Sequence, residues 1–155
     1  MSEKLKYLLI EIKRITMKKL FITLILISNF SFAQDLVNDH WSIDKIIGQN
    51  LNDINSYILT QIDINKGSEG HRIYFEKNGT FSCYYSAQCG NDCFSQSTGT
   101  YEIVDKEHLK LFVKKFQQFG FCKSETLKLN HDLGIYFAIK ISDTEIKLER
   151  VPHTN

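Results

Sequence analysis

From residue 70 onward the chain alternates apolar and polar residues, and a period of two is the pattern of strands that bury one face. The longest such run, residues 133–141, predicts Leu133, Ile135, Phe137, Ile139 and Ile141 on one face and Gly134, Tyr136, Ala138 and Lys140 on the other. After Ser142-Asp143 the apolar set resumes at Ile146 and Leu148, so the two runs read as a hairpin. Upstream, Ile73 and Phe75 alternate with Arg72, Tyr74 and Glu76, and Asn78-Gly79 then turns the chain into Phe81, Cys83 and Tyr85. Asn-Gly is a strong short hairpin signal because both residues tolerate the positive φ of a tight turn.

A third pair joins Tyr101 and Ile103 through Asp105-Lys106-Glu107 to Leu109, Leu111 and Val113. Leu127 and Leu129 mark another short strand, and Trp41, Ile43 and Ile47 one more near the beginning of the domain. The count reaches about eight, which predicts an all-β fold: an antiparallel, up-and-down barrel or sandwich, closure into a barrel removing exposed edges. Residues 50–64 are ambiguous, since Leu51, Ile54, Ile58 and Ile62 follow helical spacing while Ile58, Ile62 and Ile64 also fit a strand. With Asn50, Asn52 or Asp53 as cap, the reading favoured is one short helix near residues 50–60 leading into a strand. Residues 65–70 read as a loop.

Ahead of this pattern, Met17-Lys18-Lys19, the apolar run of residues 20–27 and the small residues Ser31 and Ala33 have the three parts of a cleavable export signal. The apolar core is too short for a bilayer span, which needs roughly twenty residues. Residues 17–33 are therefore expected to be a signal peptide. Residues 1–16 are expected to be either a start placed too early or an extended basic n-region carrying Lys4, Lys6, Lys13 and Arg14. Residues 34–155 then form a single domain, about 122 residues long, enough for one core. Its localisation is expected to be periplasmic or secreted and soluble, with no membrane span after cleavage. Removing six basic and two acidic residues with the signal leaves 13 basic against 16 acidic, a net charge of −3. A mildly acidic domain argues against nucleic acid, which demands a dense basic surface.

All four cysteines, Cys83, Cys89, Cys93 and Cys122, follow the signal, in a compartment where disulfides persist, so two bridges are the default. Four cysteines allow three connectivities. The pairing favoured joins one cysteine of the 89–93 loop to Cys122, stapling that loop near Phe119-Gly120-Phe121. A metal site built from these thiols and His40, His71, His108 or His131 is disfavoured, because only Cys89 and Cys93 have the close spacing of structural zinc ligands. No metal or other cofactor is expected.

Catalytic signatures are missing: there is no Gly-rich phosphate loop, no helical metal motif and no serine elbow. Asp63, Glu69, Asp92 and Asp132 fall in loops or near strand ends, and Asp132 of His131-Asp132 is expected to bond the backbone of a turn rather than to orient a proton transfer. No catalytic residue is nominated, and the chain is not expected to be an enzyme.

With Trp41-Ser42-Ile43, Phe75-Glu76-Lys77-Asn78-Gly79-Thr80-Phe81 and Gly99-Thr100-Tyr101 in view, the chain resembles bacterial lipocalin-like small β-barrel proteins over residues 40–150. The resemblance implies an eight-stranded barrel, exported, in some cases holding a small apolar ligand. The chain departs from that pattern in Asp39-His40-Trp41, where Gly-x-Trp is usual, and in the insertion Cys89-Gly90-Asn91-Asp92-Cys93. Two functions are consistent with the sequence. In the first, Trp41, Phe75, Phe81, Tyr85, Tyr101 and Phe137 line a cavity for a small apolar molecule. In the second, the disulfide-bound loop 89–94 contacts an extracellular or envelope protein from a rigid scaffold.

Overall fold

The computed structural model describes residues 36–37, 39–63 and 69–152, so the signal peptide expected at residues 17–33 and the segment before it lie outside the described residues. Eight antiparallel strands close into a barrel: β1 His40–Ile43, β2 Ser56–Gln61, β3 Gly70–Phe75, β4 Thr80–Ser86, β5 Cys93–Ile103, β6 His108–Gly120, β7 Glu125–Lys140 and β8 Glu145–Arg150. The six strands β3 to β8 form an up-and-down meander, as the alternating pattern predicts. The seam does not follow that order. β1 pairs with β2 on one side and β3 on the other, and β2 closes the barrel against β8.

Two turns show how local chemistry sets the hairpins. Between β3 and β4 only Gly79 takes a positive φ (81°); Asn78 instead folds its side chain over the turn, its Oδ1 accepting from Thr80 N at 2.9 Å. The connection is therefore a three-residue loop, closed by Glu76 N donating to Thr80 O, rather than a two-residue turn. Between β5 and β6, Asp105 Oδ1 accepts from the backbone N–H of Glu107 and of His108, both at 2.9 Å, and these bonds hold its carboxyl below the usual range.

The core contains Trp41, Ile43, Ile46, Ile47, Tyr57, Leu59, Ile73, Phe75, Phe81, Cys83, Leu109, Leu111, Val113, Leu133, Tyr136, Ala138, Ile146 and Leu148, all in one contiguous cluster. Gly99 shows how tightly it is filled. A Cβ there would lie 2.5 Å from the Phe81 ring and 2.1 Å from Phe112 O, so the ring rests on bare backbone. Residues 44–55 fold across one barrel end, where Ile46, Ile47 and Ile54 join the core. There the Tyr136 hydroxyl donates to Ile54 O at 2.7 Å and its ring lies 5.7 Å from that of Tyr57. Burial pushes the Tyr136 hydroxyl up to about 12, and burial with the neighbouring Tyr136 raises Tyr57 further.

Two expectations are corrected here. No helix occurs near residues 50–60: Asn50 and Asp53 close a turn, and β2 follows at once with Tyr57 and Leu59 inward. The helical spacing of Leu51, Ile54 and Ile58 loses to strand pairing with β1 and β8, which satisfies the backbone of a segment only six residues long. The second correction concerns β7. Past Leu133 the buried residues are Tyr136 and Ala138, while Ile135 and Ile141 are exposed and Phe137 and Ile139 only half-buried. The cause is a bulge: Leu111 pairs with Gly134 but Phe112 pairs with Asp132, and Gly134 sits at φ 89°, open to glycine and strained for other residues. One extra residue inverts every side chain beyond it.

Candidate functional site

The six aromatics expected to line a cavity do not surround one space. Trp41, Phe75 and Phe81 are buried in the core, with Trp41 Nε1 donating to Leu36 O at 3.2 Å. Phe75 meets Phe81 at 6.2 Å and Tyr101 edge-on at 5.1 Å, and the half-buried Tyr101 donates its hydroxyl to Glu76 O at 2.7 Å. Tyr85 lies at the far end of β4, edge-on to His71 at 5.4 Å. Phe137 is on the outer face of β7, its ring 5.1 Å from that of His108.

Of the acidic residues at loops and strand ends, Asp92 and Asp132 are engaged structurally. Asp132 pairs with Lys110 at 2.8 Å and accepts from Gly134 N at 2.9 Å, fixing the bulge, so its role is the backbone bond expected of it. That contact raises the Lys110 ammonium above its usual range. A cleft of about 300 Å³ opens beside Trp41 between Asp39, Gln61, Lys140 and Asp143. Its charges are spoken for: Gln61 donates to Asp39, and Lys140 pairs with Asp143 at 3.0 Å. No group of three or more His, Cys, Asp or Glu capable of holding a metal occurs among the described residues.

The most distinctive region is at the opposite end. β4 pairs with β5 only up to Tyr84↔Gln96, and β8 with β7 only up to Tyr136↔Arg150, yet β5, β6 and β7 continue pairing with one another to Cys93↔Gly120 and Gln118↔Glu125. The three strands therefore project past the barrel wall as a tongue. Over the ten residues of β7 from Glu125 to Gly134, seven pair with β6 and none with any other described strand, an overhang of about 30 Å at strand rise.

The tongue is tied down at its tip. Cys93 of β5 is bridged to Cys122 in the β6–β7 turn, 29 residues later. The favoured pairing of the 89–93 loop with Cys122 is thus realised through Cys93. The second bridge does not form: Cys83 is buried in the core and Cys89 is exposed in the loop, both free. Burial pushes the Cys83 thiol up to about 12, which leaves it unreactive. Beside the bridge, Gln118 Nε2 donates to Cys93 Sγ at 2.7 Å and Phe121 N donates to Asp92 O at 3.0 Å. Asp92 also takes the Tyr85 hydroxyl at 2.8 Å, a bond that raises the Tyr85 pKa. Gly120 is required by this close fit, since a Cβ would lie 2.4 Å from Asp92 O.

No protein-family model matches the chain, and neither does any curated protein or solved structure. Among the described residues no helix is long and apolar enough to cross a membrane.

What the tongue displays is a mixed surface. Phe119 stacks on Phe94 at 5.8 Å yet is 46% exposed, Phe121 is 78% exposed and Leu127 41%. Lys115 of β6 stands directly opposite Lys128 of β7, next to the exposed Lys114. A shallow cleft of about 310 Å³ runs between Phe119 and Thr126. Sequence reasoning places the staple near Phe119-Gly120-Phe121 but misses the overhang, because strand length relative to neighbours is a property of register. The one available signal is the run Phe116-Gln117-Gln118-Phe119-Gly120-Phe121, too long and too polar for a turn between short strands.

Proposed function

We propose that this chain is an exported binding module that grips a protein partner with the disulfide-tied tongue. The observation that carries this reading is the 78% exposure of Phe121 at the tip of a clamped, overhanging ribbon, with Phe119 and Leu127 beside it. Exposed apolar groups on a rigid projection lower solubility without adding to the core, and such patches mark interaction sites. A bridge closing 29 residues contributes roughly 3 to 4 kcal/mol by restricting the unfolded chain, and it holds the tip in shape before any partner arrives. Export is supported by the same bridge, since disulfides persist in oxidising compartments.

The lipocalin-like classification is part of this proposal and rests on the closed eight-stranded barrel; the placement of β2 between β1 and β8 departs from a simple up-and-down order. A carrier function fits less well. The ring-on-ring packing of Phe75, Phe81 and Tyr101 and the seating of Phe81 on Gly99 fill the space that a small apolar ligand would need.

The test is site-specific photo-crosslinking in the cells that make the protein, with the photoreactive residue placed at Phe121 or, as control, at Asp143 on the opposite end. Protein adducts from position 121 and none from 143 are expected. Equal adducts from both, or none from 121, would defeat the reading.

A further inference from the structure

Resting on the tongue as the binding surface, we infer that the partner supplies an extended acidic segment that adds to the free edge of β7 as an extra strand. Three observations on the tongue converge on this mode. The first is the edge itself. Residues 125–128 pair on one side with β6, and among the described strands none pairs on the other, so alternate N–H and C=O groups face outward, ready to form a ladder. All four residues are exposed.

The second is the charge. Lys115 and Lys128 are directly opposed across β6 and β7, an arrangement that is destabilising for like charges on one face. Neither carries an ion pair among the described residues, in contrast to Lys45, Lys110, Lys140 and Lys147, which do. Lys114 adds a third positive charge beside them. An added strand with glutamate or aspartate at alternate positions would place its carboxylates next to Lys128, relieving the opposition.

The third is the alternation of faces. Leu127 lies opposite the buried Phe116, while Thr126 lies opposite Gln117 and is bonded to it, Gln117 Nε2 to Thr126 Oγ1 at 3.3 Å. The edge thus offers an apolar face at Leu127 and a polar, basic face at Thr126 and Lys128. A partner strand that alternates apolar and acidic residues matches both at once, and one that alternates otherwise matches neither. The ladder with β6 breaks after Lys128, where Leu129 and Asn130 leave the register and Asn130 takes a φ of 44°, so four residues, 125–128, are its span. Lys128 also guards the edge against pairing with a second copy, where a register centred on it would put lysine against lysine.

The experiment uses the full domain and a synthetic decapeptide alternating valine and glutamate. Binding is followed by titration, and its location by amide hydrogen exchange. The expected result is saturable binding, with exchange at residues 125–128 slowed at least tenfold. Affinity should fall at least tenfold in Lys115→Glu/Lys128→Glu, and also when lysine replaces glutamate in the peptide or when a central proline interrupts its ladder. Circular dichroism on the variant, whose changed residues are on the surface, confirms that it is folded.

No binding at millimolar peptide, protection elsewhere in the barrel, or unchanged affinity with the proline peptide would overturn strand addition. Equal binding of single-stranded oligothymidylate at the same residues would also overturn it, in favour of a nucleic-acid polyanion. Adducts that still form from position 121 in any of these cases would leave the tongue as the binding surface; if they too are lost, that broader reading falls with it.

Discussion

The barrel body and the tongue are built from the same strands, yet they bury their residues on opposite principles. In the body, β7 turns Tyr136 and Ala138 inward against β8 and the core; in the tongue, residues 125–128 of the same strand are exposed and only Leu129 reaches the interior. One half of the strand is held by packing, the other by a ladder to β6 and a covalent staple across Cys93 and Cys122. Stability in the body is spread over many contacts. In the tongue it hangs on a few, which leaves the surface free for another purpose.

The comparison is broken most forcefully from the body. Phe75→Ala removes a fully buried ring that touches Phe81 and Tyr101, and is expected to cost about 4 kcal/mol of unfolding free energy, read by urea denaturation. Removing the staple in Cys93→Ala/Cys122→Ala should cost about 3 kcal/mol. Its signature differs from that of a core change. Amide exchange should accelerate in residues 93–98 and 115–131 while β1 to β3 stay protected, and acceleration spread evenly over the barrel would show that the tongue is no separate unit.

Alkali sharpens the same contrast. The folded state holds Cys83 near 12 against an ordinary 9.0 and Tyr136 near 12 against 10.0, so both groups keep their protons in the native state after the unfolded chain has lost them. The stability they confer is complete below pH 9 and is lost as pH rises toward 12, a fall on the order of 4 kcal/mol by pH 11. Cys83→Ala should remove the part of this slope that begins at pH 9 and leave the part that begins near 10. The smallest effect is expected at the tip, where Phe121→Ser should change stability by less than about 0.5 kcal/mol because the ring is mostly in water. Its cost should appear in partner binding alone, and a large loss of stability would mean that Phe121 is structural.

Much of this architecture is legible in the residues. The alternation at Ile73 and Phe75, Phe81 and Cys83, and Leu109 to Val113 marks strands and correctly marks their buried faces. It misleads at Ile135, Phe137 and Ile139, because a single bulge at Gly134 exchanges the faces and no periodicity can announce an insertion of one residue. The position of β2 is equally hidden, since alternation identifies a strand without naming its neighbours. The site is the least legible part: Phe119 and Phe121 look like core residues until the partner strands are seen to end before reaching them, and the opposition of Lys115 to Lys128 exists only in the register.

The seam between β2 and β8 has a temporal consequence. Tyr136 and Ile54, joined by a hydrogen bond beside that seam, are 82 residues apart, and β8 is the last of the described strands. The meander from β3 onward can zip up from neighbour to neighbour as it emerges, but β2 must wait with an open flank until β8 arrives. Closure is thus a late, long-range event of the kind that slows folding. Until then the nascent protein has two open borders, one along β2 and one along the strand that will meet it.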